Sequence, residues 1–338
     1  MTTSSTSTVT ADATPRFDLR GLGNWAKTQY ALYILIALLI VAAFATDSFF
    51  TTRNLANLIL QVSVIGIVTL AQFLIVLTGG IDISVGSVVA LAGVLAAGMW
   101  GGSNVILAIL VAVIVGGIIG TATGYLVAFR KLEPFIVTLG MMALARGLVY
   151  AYTEGVPAMP EASNFRDIAT STVLGFPVIG IIWLALAVII AFVVRRTVFG
   201  RRIYAIGSSK EAARAAGIPV KGTLVAVYAL AGLLVGFAGF LLAARVGAGT
   251  PTAGTLYELD SIAAVVIGGA SLAGGKGRVF GAVVGTLIFG VISNLLVLLN
   301  VSTYMQDAFR GALILFAIVL TTIQFSKRRK ASSSQTPA

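Results

Sequence analysis

The chain has 338 residues, of which 58% are apolar and only 10% are charged, whereas a soluble domain carries about 25% charged residues. No soluble fold of this length has enough interior to bury that many apolar side chains, so we expect a lipid bilayer to cover them. The sequence contains no Cys and no His, which excludes disulfides, thiolate or imidazole catalysis, and Cys/His metal sites.

Ten apolar stretches have about the length needed to cross a membrane, since about 20 apolar residues of helix span a hydrocarbon core of about 30 Å. They lie at roughly 30–46, 55–77, 83–100, 105–129, 134–152, 176–194, 223–245, 261–275, 279–298 and 308–325. The eighth stretch is short and rich in glycine. The sequence therefore predicts an all-α, polytopic transmembrane helical bundle of about ten spans within residues 30–325.

The positions of Lys and Arg predict the orientation of this bundle, because cytoplasmic loops carry an excess of both residues. When the spans alternate from a cytoplasmic N-terminus, most of the 23 Lys and Arg fall on the cytoplasmic side. The basic segments are 1–29, 130–133, 195–222, 276–278 and 326–338. Both termini are therefore predicted to be cytoplasmic.

Two tails flank the predicted bundle. Residues 1–29 are rich in Ser, Thr and Ala and are predicted to be disordered, and residues 326–338 are predicted to form a second solvated tail. The net charge of +11 would also suit a nucleic-acid-binding protein. The charges cluster between apolar stretches, however, which argues against a nucleic-acid partner.

Glycines at four-residue spacing predict close helix packing in three spans. Lipid tails are as apolar as the side chains, so membrane helices associate where small residues let their backbones approach. These glycines are Gly116, Gly120 and Gly124 in the fourth span, Gly232 and Gly236 in the seventh, and Gly281 and Gly285 in the ninth.

The segment 77–87 interrupts two apolar stretches. Two glycines at 79 and 80 can end one helix, and Asp82 can cap the next by accepting hydrogen bonds from its free N–H groups. If the segment lies at membrane depth, it lines a cavity together with Ser84 and Ser87, as transporter substrate sites do. If it lies outside, it is a short cytoplasmic turn with an ordinary cap.

Two further sets of polar residues lie inside predicted spans. Asn57, Gln61 and Gln72 fall within about 60° of one another on a helix and either face a cavity or bond to neighbouring helices. Thr138 and Arg146 fall within about 80° of each other on the fifth span. A charge at this depth costs about 2.5–3.5 kcal/mol. Arg146 therefore either lines a pathway or forms a structural ion pair, or its side chain extends to the membrane surface.

The longest cytoplasmic connection, 195–222, contains a predicted short helix between Gly207 and Gly217. Ser208 and Glu211 have the spacing of a capping box, and the run through Ala212 and Arg214 favours a helix of two turns, about 12 Å long. Gly217 suits the position just after the helix end. Such a helix is either a docking element for a soluble partner or an ordinary basic loop.

No energy source is recognisable in the chain. Residues 269–277 lack the G-x-x-x-x-G-K-[ST] pattern of a phosphate-binding loop. Proton coupling usually requires buried acids or His, and Asp82 is the only acid predicted to lie near a span. The chain is therefore predicted to be a channel-forming part that depends on an external motor.

Four separated motifs, at 78–87, 131–140, 200–217 and 266–275, resemble those of the ribose/xylose/galactose-type permeases of ATP-binding cassette (ABC) importers. The resemblance covers roughly residues 30–325, in order and without large insertions. The branched-chain amino-acid permeases resemble the chain more distantly.

This resemblance implies a permease subunit in a bacterial cytoplasmic membrane that performs no covalent chemistry and binds no cofactor. A second permease copy, identical or related, would complete the pore. A separate ATPase subunit would use ATP and receive the helix within 207–217. A periplasmic or lipid-anchored sugar-binding protein would deliver a ribose-like monosaccharide to the outer loops, including 153–175.

Two alternatives remain open. The same architecture would also serve an amino acid, a nucleoside or a signalling furanose. A self-sufficient facilitator or ion-coupled carrier would need no ATPase, but a coupling acid is missing from the predicted spans.

Overall fold

A computed structural model of the chain describes residues 30–99, 103–313 and 315. The predicted tails and the end of the tenth predicted span lie outside these residues. The helices are α1 (Tyr30–Ala45), α2 (Thr52–Leu77), α3 (Val85–Gly98), α4 (Val105–Phe129), α5 (Pro134–Thr153), α6 (Asp167–Thr170), α7 (Val178–Arg196), α8 (Val198–Ser208), α9 (Lys210–Ala215), α10 (Val220–Val246), α11 (Tyr257–Ile267), α12 (Val279–Leu298) and α13 (303–313).

Strand structure in the described residues is confined to a small hairpin and one isolated bridge. Strands β1 (Thr172–Val173) and β2 (Phe176–Pro177) pair antiparallel. Leu174 and Gly175 form the connecting turn with positive φ angles of 51° and 81°. The prediction of an all-α chain is therefore confirmed.

Within the described residues, six helices are long and apolar enough to cross a membrane: α2, α4, α5, α7, α10 and α12. Helices α1 and α3 are apolar but shorter. Large side chains on the outer helices are exposed, among them Ile106 and Ile118 of α4 and Ile136 of α5. The protein is thus a multi-pass membrane protein.

The glycine faces pack as predicted, with backbone against backbone. A Cβ on Gly116 would meet the Gly232 carbonyl, and a Cβ on Gly232 would meet the Gly116 carbonyl. The same holds between α12 and α11, where Gly281 and Gly285 abut the carbonyls of Gly268 and Ala264. These contacts bring α4 against α10, and α11 against α12.

Helix α11 differs from the predicted span at 261–275. It has 11 residues, about 16 Å of helix, and ends at Ile267 because the next segment contains Gly269, Gly274 and Gly275, all with positive φ. A helix of that length does not cross a bilayer alone. Helix α3, with 14 residues, is about 21 Å long and is also shorter than a full span.

The segment 247–256, which precedes α11, runs down the side of α3. Gly249 packs on Val94, and Gly254 packs on Gly86. These two positions on α3 are eight residues apart, or about 12 Å. The segment therefore brings the start of α11 next to the start of α3, in the interior of the bundle.

Two acidic residues lie just after this segment, inside the bundle. Glu258 and Asp260 lie in the first turn of α11, and Gly86 packs against the Glu258 carboxylate. The prediction that Asp82 is the only acid near a span is therefore wrong. Hydropathy assigns both residues to an outer loop, because nothing in the sequence marks the preceding segment as entering the bundle.

Candidate functional site

The break between α2 and α3 is a non-helical segment at residues 78–84. Gly79 has a φ of +77°, which ends α2 without the steric cost that a side chain would meet there. The Oδ1 atom of Asp82 accepts hydrogen bonds from Ser84 N at 2.7 Å and Ser84 Oγ at 2.6 Å. Ser84 itself is the N-cap residue of α3 and makes no side-chain cap bond. Asp82 therefore supports the helix start from two residues upstream instead of capping it directly.

Gln72 satisfies the backbone of Asp82 within this break. With its amide nitrogen toward the Asp82 carbonyl, Gln72 donates to Asp82 O at 3.1 Å and accepts from Asp82 N at 3.2 Å. Gln72 is fully buried on α2. An unwound backbone away from water needs such a partner, so the contact matches the interior alternative for the break more closely than an exposed turn.

Other predicted polar residues gather around the same break. Thr138 on α5 is buried, bonds to Phe135 O at 3.2 Å and lies 3.5 Å from Ile81 O. Ser87 is buried in the first turn of α3. The structure thus brings Gln72, Asp82, Ser84, Ser87 and Thr138 together around the start of α3.

Asp82 lines a small cavity, and an unpaired tyrosine lies beside Gly80 of the same break. The cavity, about 10 Å³, is lined by Asp82, Ser84 and Thr123 together with glycines of α4 and α10, and it has about the size of one water molecule. The Tyr228 hydroxyl is buried beside Gly80 and has no hydrogen-bond partner among the described residues. Sequence reasoning missed Tyr228, because a tyrosine in an apolar helix gives no indication of which part of the bundle its hydroxyl lies beside.

Asn57 and Gln61 do not share this site, although they share a helix face with Gln72. They line an open cavity of about 480 Å³ together with Arg166 and Arg245. Gln61 and Gln72 are 11 residues apart, so about 16 Å of helix separates the two places. The predicted amide stripe is therefore divided between an end of the bundle and its interior.

Arg146 binds the backbone of segment 247–256, which runs along α3. Its Nη1 donates to Pro251 O at 2.6 Å and to Ala253 O at 3.3 Å. The guanidinium therefore joins α5 to residues 247–256. It forms no ion pair among the described residues.

The predicted helix in the long connection is present but begins one residue later. Ser209 caps α9 by accepting from Ala212 N at 3.1 Å, whereas Ser208 ends α8 and its Oγ donates to Tyr204 O. The predicted capping box of Ser208 with Glu211 is therefore wrong, because Ser209 is the N-cap residue. Helix α9 has six residues, about 9 Å, shorter than the predicted 12 Å.

The end of α9 is as predicted. Gly217 has a φ of +74°, its N–H donates to Arg214 O, and the Ile218 N–H donates to Ala213 O, which is a Schellman motif. Ala213 is buried, whereas Glu211, Ala212 and Arg214 are exposed. Helix α9 therefore presents a short, capped, solvent-facing surface.

A bundle of apolar helices with two non-helical segments in its interior is the architecture of a multi-pass transport protein. Residues 54–318 match the family described as branched-chain amino acid transport system / permease component. The chain belongs to this family of permeases.

The curated relatives carry names of sugar permeases. The chain is 41% identical over 305 residues to the ribose import permease protein RbsC of Escherichia coli (strain K12), which covers 88% of this chain and 94% of that protein. It is 42% identical to the protein of the same name from Bacillus subtilis (strain 168), over 85% of this chain and 90% of that protein. It is 36% identical to the D-allose transport system permease protein AlsC of Escherichia coli (strain K12), over 88% of this chain and 91% of that protein. No solved structure matches the chain.

Proposed function

We propose that the chain is the membrane-spanning permease subunit of a bacterial ABC importer for a monosaccharide. The observation that carries this proposal is the similarity to ribose, allose and arabinose permeases along nearly the whole chain. Its place is the cytoplasmic membrane. Transport needs no bond-making chemistry by this chain, so it acts as a transporter subunit and not as an enzyme.

We propose ten crossings with both termini in the cytoplasm. Two crossings are composite: residues 78–84 with α3 form the third, and residues 247–256 with α11 form the eighth. Each joins a non-helical segment to a helix shorter than a full span, about 21 Å in α3 and about 16 Å in α11, so the alternation of sides is kept. The positive-inside distribution of Lys and Arg agrees with this order.

The energy source is a separate ATPase subunit, which binds and hydrolyses ATP and docks on α9. The exposed residues of α9 form the docking surface of this coupling element, and Gly207 and Ser208 at the end of α8 join it to the bundle. The ATPase drives transport only if its nucleotide states interact differently with the inward-open and outward-open bundle. A second permease copy completes the pore, and a sugar-binding protein delivers solute to the outer face.

The translocation pathway passes two interior non-helical segments. They are the break at residues 78–84 and the segment 247–256 before α11, which we call the second break. Half-helices that begin at mid-membrane expose polar backbone where a solute can bind, and Asp82, Ser84, Ser87, Thr138 and Gln72 lie around one such start. Asn57 and Gln61 lie at the outer entrance. Arg146 positions the second break from α5.

Reconstitution tests this function. The purified chain is placed in liposomes with its cognate ATPase and binding protein, and uptake of labelled ribose is measured with and without ATP. We expect uptake only with the ATPase, ATP and the loaded binding protein. Gradient-driven uptake by the chain alone would instead support a self-sufficient carrier.

A second solute class follows from the family description, which names branched-chain amino acids. Leucine, a nucleoside and galactose are therefore tested as ligands of the binding protein beside ribose. Saturable binding of a sugar and not of leucine supports the monosaccharide proposal. The opposite result would assign the importer to amino acids.

A further inference from the structure

Three segments of the chain meet where α8 ends. They are residues 77–79 at the end of α2, residues 207–208 at the end of α8, and residues 274–275 between α11 and α12. We call this meeting point the glycine junction. None of the three segments is adjacent to another in sequence, so the junction joins distant parts of the bundle.

The junction is made by backbone atoms in direct contact. The Gly275 N–H donates to Leu77 O at 2.9 Å, and Gly207 packs against both of these groups. A Cβ on Gly274 would lie 2.7 Å from Gly79 N and 2.8 Å from Gly207 O. At these contacts backbone meets backbone directly, so no side chain between them can rearrange to absorb a displacement of the segments.

A tyrosine holds the same segments at a second point. The Tyr204 hydroxyl of α8 donates to Gly277 O at 2.9 Å, and Ser208 Oγ donates back to Tyr204 O. Burial raises the pKa of the Tyr204 phenol, although Arg195 and Arg278 act in the opposite direction. The hydroxyl therefore stays protonated at neutral pH and remains a donor.

Each segment of the junction leads to a different functional element. Residues 77–79 continue into the break that holds Asp82. Residues 274–275 lie seven to eight positions beyond the end of α11, the half-helix that carries Glu258. Helix α8 passes directly into the exposed helix α9 through Ser209, which caps α9.

From these contacts we infer that the glycine junction transmits movement of α9 to both discontinuous crossings at once. The inference rests on the proposed function, in which α9 receives the ATPase. Gly207, Gly274 and Tyr204 are positioning residues: they touch no solute, and they act by fixing the distance between α8 and the two breaks. Movement of α8 then shifts the start of the third crossing and the end of the eighth crossing together.

The test compares two helical glycines that lie near cytoplasmic helix ends. Gly207→Ala places a methyl group in the junction, whereas Gly222→Ala, in the first turn of α10, meets open space. Each variant is reconstituted with the same ATPase and binding protein. Ribose uptake, ATP hydrolysis and the amount of assembled complex are measured together.

We expect Gly207→Ala to assemble and to hydrolyse ATP, but to import about tenfold less ribose per ATP, in the range of a typical coupling free energy. Gly222→Ala should keep the wild-type ratio. A merely structural role would lower the amount of complex and leave this ratio unchanged, and that outcome would overturn the inference. A wild-type complex that imports no ribose contradicts the proposed function instead, before any variant is compared.

If Gly207→Ala does not assemble, Tyr204→Phe decides. It keeps the ring and removes only the bond to Gly277 O, with the exposed Tyr304→Phe as its control. We expect the uptake-to-ATP ratio to fall by about two- to tenfold, as loss of one hydrogen bond predicts. An unchanged ratio in Tyr204→Phe would also overturn the inference.

Discussion

The side-chain amide of Gln72 pairs with both backbone groups of Asp82, at 3.1 Å to its carbonyl and 3.2 Å to its N–H. One amide thereby replaces the two hydrogen bonds that Asp82 would make within a helix. Because Gln72 is fully buried, the backbone of Asp82 needs no water to satisfy it. This pairing explains how a helix can be broken inside an apolar bundle.

Replacement of Gln72 by leucine should therefore destabilise the protein. The change keeps a similar volume but leaves two buried backbone groups unpaired, at about 1–3 kcal/mol each. Thermal unfolding in detergent, followed by size-exclusion fluorescence, measures the loss. Gln61→Leu is the control, because Gln61 lies at the open outer cavity. Equal stability of the two variants would contradict the role of Gln72.

A valine at Gly116 should disrupt the contact between α4 and α10. Its Cβ would meet the Gly232 carbonyl, and overpacking of a close contact typically costs about 1–3 kcal/mol or more. Gly140→Val on α5 is the control, since nothing lies within 4 Å of that position. The yield of monodisperse protein should fall in the first variant only, and a loss in both would argue against a specific contact.

Ser209 and Ser208 should differ in their effect on the coupling helix. Ser209→Ala removes the cap of α9 and should weaken that helix by about 1 kcal/mol. Ser208→Ala removes only a bond to Tyr204 O. Affinity for the ATPase subunit, measured in nanodiscs, should drop several-fold for Ser209→Ala. A larger drop for Ser208→Ala would favour the cap that the sequence predicts.

Loss of the Arg146 guanidinium should loosen the second break. Arg146→Gln leaves the Pro251 and Ala253 carbonyls without their charged donor, and hydrogen bonds to charged groups contribute about 1.5–3 kcal/mol each. Hydrogen exchange of residues 247–256 should rise, and uptake should fall. Arg53→Gln, at an exposed arginine in the first turn of α2, should leave that exchange unchanged. Protection equal to wild type in Arg146→Gln would exclude the anchoring role.

Hydropathy and glycine spacing were sufficient to predict the long helices and their closest contacts. The length of an apolar stretch indicates directly whether it can span the hydrocarbon core. Gly116 and Gly232 indicate the faces on which α4 and α10 meet, because only small residues allow backbone contact. The αL position of Gly217 was predictable for the same local reason, since a helix end there needs a positive φ.

Depth within the membrane was not predictable from the same signals. Asn57 and Gln72 share a helix face, but an angle around the axis says nothing about distance along a pathway. Glu258 follows a polar segment that a loop would also have, and 261–275 is apolar whether or not it is helical throughout. The two serines at 208 and 209 are both good caps, and tertiary contact of α8 with the junction selects the second.

The two composite crossings differ in when their partners leave the ribosome. The side-chain partner of the Asp82 backbone, Gln72, is already synthesised when residues 78–84 emerge. Helix α11 packs through Ala264 and Gly268 against α12, which is synthesised later. Chains truncated before α12 should therefore leave α11 open to aqueous labelling, whereas α3 should already be shielded. Biogenesis thus has to hold one crossing in an unfinished state until the next helix arrives.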